Sequence, residues 1–457
     1  MPNPTTDDEV DRLVRAYLGP LRRQGAPTDL KNKVMERIGS RRRGAPMRRL
    51  AAFVAVIAVA ALVAGVTIAV HLGIHGSSRS VSTSTSTSSP ISSPSPGDWQ
   101  AVSLPSGFGA MSVSCPGAGD CWILGSTGSG ASSVWRYSDG VWTSVSVPGQ
   151  GILKGLTCVN ADDCWAVGYS VPPGITSDGV LQPLIEYDDG AGFSDVSSPM
   201  MMGVGQLNAI ACSSVNDCWA VGEYGSQNIS QQQGSISETA SAQPLVEHYD
   251  GANWMVVTVP APSTDSELLA VTCVGTEDCW AVGQDVYGGG LTEHYFAGAW
   301  ELEGSPDGGG VAGDSLSAVT CPAVDDCWAV GNTSPPHSGQ PPQQPLVEHY
   351  AGTNWAVVAS PHLSAVGGGV LSGIACTPSG DCWAVGDAQG PIWDLVGTPP
   401  PNGTQSLIEY YSGGSWEVVP SPQASGEGAD LTGIACVPST TECYATGDSL
   451  FESTFGA

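Results

Sequence analysis

The pattern of hydrophobic and polar positions repeats along most of the chain, from residue 98 to residue 457. Each repeat contains four short runs in which apolar residues alternate with small or polar ones. In one repeat they read LSGIAC at 371–376, CWAVG at 382–386, LIEYY at 407–411 and WEVVPSP at 416–422. Alternation with a period of two is typical of half-buried β-strands. The pattern therefore predicts four antiparallel strands per repeat, which is the blade of a β-propeller.

A pair of cysteines marks each repeat. All 14 cysteines fall into seven pairs separated by five or six residues. The pairs are Cys115 with Cys121, Cys158 with Cys164, Cys212 with Cys218, Cys273 with Cys279, Cys321 with Cys327, Cys376 with Cys382, and Cys436 with Cys443. Each pair flanks the turn between the first two strands, where opposed Cα atoms lie about 4.5–5.5 Å apart, within disulfide range. We predict seven disulfides rather than a zinc site, because a propeller would hold the thiolates of different pairs far apart.

The two ends of the repeat region complement each other. The last repeat stops after its third strand, while a strand of the fourth type, WQAVSLP at 99–105, precedes the first repeat. Successive first cysteines are 43 to 61 residues apart, a period found in propellers and solenoids. Seven fourth strands begin with an aromatic residue, at Trp99, Trp142, Phe193, Trp254, Trp300, Trp355 and Trp416. We therefore predict an all-β, seven-bladed propeller over residues 98–457, closed by its N-terminal strand.

Charge divides the chain into two regions. Residues 1–49 hold 12 of the 15 Lys and Arg together with six acidic residues, so their net charge is +6. Residues 50–457 hold 38 acidic residues against Arg79, Arg136 and Lys154, which gives −35. Because so negative a surface repels phosphate backbones, we expect no nucleic-acid partner.

An uncharged segment separates the two regions. Residues 50–70, LAAFVAVIAVAALVAGVTIAV, span about 30 Å as a helix, which is the thickness of a bilayer core. Five arginines precede this segment within residues 41–49, and such positive charge stays in the cytoplasm. We predict one transmembrane helix within residues 50–74, with a cytoplasmic N-terminus and an extracellular propeller. A cleaved signal peptide is the alternative, but the long preceding segment and the long apolar core do not fit one.

Two further segments complete the predicted organisation. Residues 1–49 show helical spacing of apolar residues and predict two short helices. This basic segment is either a solvated tail or a docking site for a cytoplasmic partner, and docking would make the chain a one-pass sensor. Residues 75–97 are rich in Ser, Thr and Pro and predict a spacer.

The repeat itself carries a family resemblance. Motifs of the form CxxxxDCWAVG and LVEHYDGxxW, as around Cys212 and Leu245, resemble those of exported bacterial β-propeller proteins stapled by cysteines, which are mostly of unassigned function. The resemblance covers residues 98–457. It implies a propeller on the cell surface and leaves its activity open.

Several polar and aromatic residues recur from repeat to repeat, and we interpret them as scaffold. An Asp before the second cysteine is expected to bind backbone amides of the turn, and a Trp after that cysteine is expected to pack between blades. The Asp residues are Asp120, Asp163, Asp217, Asp278, Asp326 and Asp381. A third-strand Glu recurs at Glu186, Glu247, Glu293, Glu348, Glu409 and Glu452, with Arg136 assigned to its place in the first repeat. His248, His294 and His349 follow this Glu, each in a different repeat, so no metal triad is expected.

Functional candidates are sought among residues that do not recur. Loops of unequal length join the second strand to the third, and these loops share one face with the connections between repeats. Candidate ligand-binding residues near them are the aromatic Tyr169, Tyr224, Tyr287 and Trp393 and the acidic Glu223, Asp285 and Asp387. Aromatic rings with carboxylates suit a neutral sugar. Carboxylates alone would suit Ca²⁺, although no calcium-loop spacing is present, and we predict neither a metal nor a cofactor.

Counting residue types restricts the enzymatic alternatives. Sialidases bind their substrate's carboxylate with three arginines, whereas residues 98–457 contain Arg136 alone. Copper oxidases of the galactose-oxidase kind need a cysteine linked to tyrosine, and no cysteine is spare. The sequence has neither a G-x-S-x-G nor an H-E-x-x-H motif. We therefore expect non-catalytic recognition of a carbohydrate, peptide or protein, with a glycosidase or lyase using two loop carboxylates as the alternative.

Overall fold

The structure is a computed structural model that describes most of the repeat region. The described residues are 99–127, 131–149, 151–171, 181–199, 204–232, 235–285, 289–306, 314–333, 343–361, 368–389, 404–421, 430–447 and 450–454. They belong to one compact unit, Pro90–Ala457. The predicted cytoplasmic segment, transmembrane helix and spacer lie outside these residues. Within the described ranges there is no helix with the length and apolar character to cross a bilayer.

The described residues form 28 β-strands arranged in seven four-stranded antiparallel sheets. The first four sheets, in chain order, are β2 Phe108–Gly117, β3 Asp120–Thr127, β4 Ser132–Ser138 and β5 Val141–Val145; β6 Gly151–Asn160, β7 Asp163–Ser170, β8 Gln182–Asp188 and β9 Phe193–Val196; β10 Val204–Ser214, β11 Asp217–Gln232, β12 Ser235–Tyr249 and β13 Trp254–Val257; and β14 Ser266–Gly275, β15 Asp278–Asp285, β16 Gly289–Phe296 and β17 Ala299–Glu303. The remaining three are β18 Ser315–Ala323, β19 Asp326–Thr333, β20 Gln344–Tyr350 and β21 Trp355–Val357; β22 Gly368–Cys376, β23 Cys382–Gln389, β24 Thr404–Ser412 and β25 Ser415–Val418; and β26 Leu431–Cys436, β27 Cys443–Gly447 and β28 Leu450–Thr454 with β1 Trp99–Val102.

The sheets follow one another around a ring. The first strand of each sheet contacts the first strand of the next, from β2 through β6, β10, β14, β18, β22 and β26, and β26 contacts β2 again. These first strands are therefore innermost, and the fourth strands lie at the perimeter. The predicted all-β propeller class is confirmed by this arrangement.

The N-terminal strand belongs to the last sheet. β1 pairs with β28, which gives the order β1-β28-β27-β26, with Trp99 opposite Thr454 and Val102 opposite Phe451. The two ends of the described chain therefore share one sheet. This agrees with the sequence, in which the last repeat lacks a fourth strand and an extra fourth strand precedes the first repeat.

All seven predicted disulfides are present, and no cysteine of the described residues is free. Each closes the hairpin between the first and second strands, where the paired Cα atoms lie 3.9–4.1 Å apart. This separation is shorter than the 4.5–5.5 Å expected for a regular ladder. The ladder is irregular there, with a register shift next to Cys212 and Cys273.

The hydrophobic core lies between the sheets. Seven apolar clusters each combine residues from two neighbouring sheets. The Trp after the second cysteine contacts the fourth-strand aromatic residue of the next sheet edge to face, as Trp219 contacts Trp300 with ring centroids 5.4 Å apart. At the closure, Trp383 of the sixth sheet meets Trp99 of the seventh at 5.2 Å. The predicted packing of these tryptophans between blades is confirmed.

A glycine at the end of each AVG run sets the geometry of the innermost strands. A Cβ on Gly222 would lie 2.0 Å from the carbonyl oxygen of Gln206, and one on Gly283 would lie 2.0 Å from that of Glu267. The first strand has a bulge one residue beyond this contact, between Leu207 and Ala209 in the third sheet. The close approach of the two strands therefore requires glycine. The residues next to this glycine and next to the opposing carbonyl occupy fixed positions.

The closure makes a prediction about Trp99. Trp99→Ala should lower the free energy of unfolding by about 3–5 kcal/mol, because it removes a buried aromatic side chain from the contact between the last two sheets. Gln100→Ala, an exposed change on the same strand, is the control and should have an effect within about 0.5 kcal/mol. Urea unfolding under non-reducing conditions measures both. Equal stability of the two variants would contradict closure by β1.

Candidate functional site

The only lysine of residues 50–457 lies on an innermost strand. Lys154 follows the fully buried Leu153 in β6 and occupies the bulge between Leu153 and Gly155. A Cβ on Gly155 would lie 2.9 Å from the Cα of Ala209, so the first strands of the second and third sheets nearly touch at this level. The side chain of Lys154 extends across this narrow junction to the third sheet.

Lys154 donates two hydrogen bonds to side-chain amides of the third sheet. Its Nζ lies 3.0 Å from Gln206 Oε1 and 2.9 Å from Asn208 Oδ1. The same ammonium lies 5.6 Å from the centroid of the Tyr169 ring, which is a cation–π distance. Asn208 in turn donates to the carbonyl oxygen of Leu268 at 2.9 Å, so the network reaches the fourth sheet.

Two carboxylates complete this network. Gln206 donates to Glu223 through Nε2, and Gln284 donates to Glu267 at 2.5 Å. Burial lowers the pKa of Lys154, and the charges of Glu223 and Glu267 oppose that effect. Burial raises the pKa of Glu267, as does the nearby charge of Glu223, while the Gln284 hydrogen bond and Lys154 lower it. Lys154 therefore lies within electrostatic range of both carboxylates.

We call this group the Lys154 cluster. Its members are Lys154, Tyr169, Gln206, Asn208, Glu223, Glu267 and Gln284. They lie near the start of first strands and the end of second strands, which is the side of the ring that bears the loops of unequal length. The cluster presents an ammonium, three amides, two carboxylates and a phenol within three consecutive sheets. Such a set offers donors and acceptors to a polar ligand and little apolar surface.

Two of the predicted candidates, Tyr169 and Glu223, belong to the cluster, and three others that the structure describes lie elsewhere. Tyr224 packs on the apolar cluster between the second and third sheets. Asp285 is buried and accepts a hydrogen bond from Ser263 at 2.9 Å, which is a structural role. Asp387 lies in the sixth sheet. Tyr287 and Trp393 lie outside the described residues.

Asp387 occupies the same strand position as Glu223 in a different part of the ring. It follows the AVG glycine of the sixth sheet and is paired with Val370. Burial raises its pKa to about 6, and the charge of Asp430 adds to the shift. The two carboxyl groups come from the sixth and seventh sheets.

Sequence reasoning missed five members of the Lys154 cluster: Lys154, Gln206, Asn208, Glu267 and Gln284. The signal that could have identified them is their position beside the first-strand leucine. Lys154 and Asn208 each follow the buried first-strand leucine, while Gln206 and Glu267 precede it. These positions vary between repeats, while the leucine is kept in six of the seven and replaced by Ala110 in the first. Aligning the repeats at this leucine would therefore have found them.

The recurrent Asp has a different partner from the one predicted. Its carboxylate accepts a hydrogen bond from a third-strand side chain of the same sheet, as Asp278 does from His294 at 2.9 Å and Asp326 from His349 at 2.8 Å. The histidine ring also stacks on the Trp after the cysteine, with Trp280 and His294 centroids 3.9 Å apart. Each of these histidines is therefore held within its own sheet.

The assignment of Arg136 to the third-strand Glu position is wrong. In the first sheet Arg136 pairs with Trp122, just as His349 pairs with Trp328 in the fifth. Trp135 occupies the Glu position. Arg136 instead takes the histidine's role and binds Asp120 through two hydrogen bonds of 2.8 and 2.9 Å. Arg136 was aligned one residue too early because the first sheet has neither Glu nor His at these two positions to mark the register.

The third-strand Glu is fully buried in the five sheets where its side chain is described, and in three of them it accepts a serine hydrogen bond across the sheet boundary. Glu247, Glu348 and Glu409 each accept a hydrogen bond of 2.9 Å from a serine of the preceding sheet. These serines, Ser198, Ser305 and Ser360, stand five residues after the fourth-strand aromatic residue. We call this contact the Ser–Glu clasp. It links successive sheets, in agreement with the predicted structural role of the Glu.

The serine is absent at three boundaries, where Leu104, Val147 and Val259 stand in its place. The first sheet has Trp135 in place of the Glu, and Glu186 accepts a hydrogen bond of 2.9 Å from the backbone N–H of Gly149 instead.

Val259 stands at the serine position that precedes Glu293, and both carboxylate oxygens of Glu293 are buried without a hydrogen-bond partner. Burial raises the pKa of Glu293 to about 8. Where a serine hydrogen bond opposes the effect of burial, the pKa is raised to about 7 at Glu247 and to about 8 at Glu409. At Glu293 no such bond opposes burial, which disfavours the ionised form.

Comparisons with known proteins concern the fold. The chain is similar to the solved structure of YCF48 bound to D1 peptide, at 12% identity and a TM-score of 0.46, over 78% of this chain and 96% of that chain. It is also similar to YCF48 from Cyanidioschyzon merolae, at 14% identity and a TM-score of 0.48, over 78% of this chain and 98% of that chain. No family model and no curated protein matches the sequence. The propeller assignment rests on the strand pairing of this chain.

The missing clasp predicts how stability depends on pH. The pKa of Glu293 is higher folded than unfolded, so its contribution to stability is complete below about pH 4.5 and is lost as the pH rises towards 8. Val259→Ser should supply a donor to the ionised carboxylate and reduce the loss of stability between pH 6 and pH 9 by about 1–2 kcal/mol. Denaturant unfolding at the two pH values measures this difference.

The reciprocal change is the matched control. Ser305→Val removes the donor to Glu348 and should increase the loss of stability over the same pH interval by a similar amount. If both variants shift the pH dependence in the same direction, the clasp is not the cause.

Proposed function

We propose that this protein is a cell-surface recognition protein, in which a propeller binds a polar ligand without chemical turnover. The ligand is a carbohydrate, a peptide or a segment of a protein. The observation that carries the proposal is the Lys154 cluster. It places residues that differ from repeat to repeat on the innermost strands, beside the loops of unequal length.

The chemistry of the cluster favours binding over catalysis. Lys154 donates to amide oxygens of Gln206 and Asn208, and these amides donate to Glu223 and to a backbone carbonyl. Side chains held in such a network keep fixed orientations, which suits selective hydrogen bonding. The half-buried carboxylates of Glu223 and Glu267 and the phenol of Tyr169 are the groups through which a ligand would be recognised.

A carbohydrate-active enzyme is the second candidate, and Asp387 is the observation that favours it. A carboxyl group with a pKa of about 6 beside a second carboxylate is the combination that glycosidases use as general acid and partner. Asp387 and Asp430 would take these roles. This candidate concerns the opposite part of the ring from the Lys154 cluster, so the two functions are separable by substitution.

The proposed location rests on the sequence of residues 1–97. Residues 50–70 would cross the membrane once, residues 1–49 would remain cytoplasmic, and residues 75–97 would space the propeller from the surface. Seven disulfides in the propeller support export, because such bonds persist in oxidising compartments. A cytoplasmic partner of residues 1–49 stays a prediction.

Ligand capture tests the recognition proposal. The protein is applied to arrays of neutral oligosaccharides and short synthetic peptides, and affinities for captured probes are measured by calorimetry. Lys154→Met should weaken binding at least tenfold, because it removes the donor that orients Gln206 and Asn208. Capture of no probe, or equal affinity of the variant, would overturn the assignment of the site.

Asp387→Asn is the matched control, since Asp387 occupies the strand position of Glu223 in another sheet. It should leave binding unchanged. Captured oligosaccharides are also analysed for cleavage products. Products that disappear in Asp387→Asn would establish the enzyme and refute non-catalytic recognition.

Protease treatment of intact cells tests the location. With an epitope tag before Met1, digestion should remove the propeller and leave the tag protected, because the tag lies behind the membrane. Permeabilised cells provide the control, in which the tag should be lost. A tag that is digested in intact cells, or a chain recovered in the soluble fraction, would rule out the proposed topology.

A further inference from the structure

Among the described residues, the third sheet is the one whose second and third strands continue into a long projection. β11 has 16 residues and β12 has 15, whereas the second strands of the other sheets have five to eight. The pairing of β11 with β12 continues from Ser226 opposite Ser241 to Gln232 opposite Ser235. We call residues 226–232 and 235–241 the arm.

The arm is a ribbon of two strands whose outer edges are unpaired in the described part of the chain. β10 follows β11 only as far as Gly225, and β13 follows β12 only as far as Val246. In the sheet order β10-β11-β12-β13, β10 is innermost, so the free edge of β12 is directed to the perimeter. This edge runs from Ser235 to Gln243, which is about 30 Å of strand at roughly 3.4 Å per residue.

The sequence of the arm has none of the features that usually protect a strand edge. Lys, Pro and clustered charge prevent edges from pairing with other chains. Residues 226–241, SQNISQQQGSISETAS, contain no Lys, Arg or Pro and a single charge, Glu238. The other three long insertions contain prolines, at Pro172 and Pro173, at Pro335 and Pro336, and at Pro399, Pro400 and Pro401. Within the part of the chain that the structure describes, the arm combines a long open edge with a sequence that lacks these protective residues.

Charge identifies the partner that suits this edge. Residues 50–457 carry a net charge of −35, so two copies repel each other over most of their surfaces. The arm, with its single charge and its open edge, is a region where two copies can approach at low electrostatic cost. An isologous contact also needs one surface that is complementary to itself, and two antiparallel strands of the same sequence meet this condition.

We propose that the arm is a dimerisation element, in which the free edge of β12 pairs antiparallel with the same edge of a second copy. The two arms then form a four-stranded sheet across a two-fold axis. Backbone hydrogen bonds supply the affinity, as in strand addition generally. Ligand binding at the Lys154 cluster is not required for this contact.

Sedimentation velocity of the full chain in detergent tests the proposal over a range of protein and salt concentrations. We expect a monomer–dimer equilibrium that shifts to dimer as NaCl rises, because salt screens the repulsion between acidic copies. Replacing residues 226–241 with Asn-Gly, which closes a hairpin after Gly225, should weaken the dimer at least tenfold. Shortening the insertion of the second sheet by residues 173–180 is the control and should leave the equilibrium unchanged.

Two single substitutions separate edge pairing from a general effect of the arm. Neighbouring residues of a strand direct their N–H groups to opposite edges. Of the variants Glu238→Pro and Thr239→Pro, one therefore removes a donor from the outer edge and the other removes a donor from the pairing with β11. The variant without the outer donor should lose the dimer while unfolding at the same urea concentration as the parent. A monomer at all concentrations in the parent chain, or a dimer that persists without the arm, would overturn the proposal.

Discussion

The packing of each sheet against the next is the constraint on which the structure depends. The apolar clusters lie between sheets, so no sheet has a complete core of its own. A linear array of such sheets would leave two apolar faces open, whereas a ring leaves none. β1 provides the fourth strand of the last sheet, and its Trp99 packs on Trp383 of the sheet before it. At closure, Trp99 therefore takes part both in the pairing of β1 with β28 and in the packing of the seventh sheet on the sixth.

Recurrent polar residues reinforce this packing at two levels. Within a sheet, the Asp before the second cysteine bonds a third-strand side chain that stacks on the neighbouring Trp. Between sheets, the Ser–Glu clasp satisfies a carboxylate that would otherwise be buried alone. Burial without a hydrogen-bond partner disfavours the ionised form of a carboxyl group. Glu293 is buried in this way at the boundary where Val259 replaces the serine, and its pKa is raised. Because the contact recurs around the ring, the carboxylate of Glu293, with neither oxygen bonded, is easy to recognise.

The candidate site arises from the opposite property, which is departure from the repeat. The first-strand bulge and the close glycine contact occur in all seven sheets. They therefore hold the variable residues in equivalent places around the ring. Three consecutive sheets place Lys154, three amides and two carboxylates at these positions. A rigid scaffold with variable inner positions is suited to recognition, because a substitution there alters chemistry without altering the fold.

The sequence by itself determined the strand content, the cysteine pairing and the closure of the propeller, because these follow from periodicity and from the complementary ends of the repeats. It also identified Tyr169 and Glu223, which stand next to a recurrent motif. Only the tertiary structure decided the register, which moved Arg136 to the histidine position, and the meeting of Lys154 with Gln206 and Glu267. Those residues belong to different repeats, and local pattern carries no information on which side chains meet across a sheet boundary. Contacts between sheets depend on bulges and on close backbone approach, which exist only once the ring has formed.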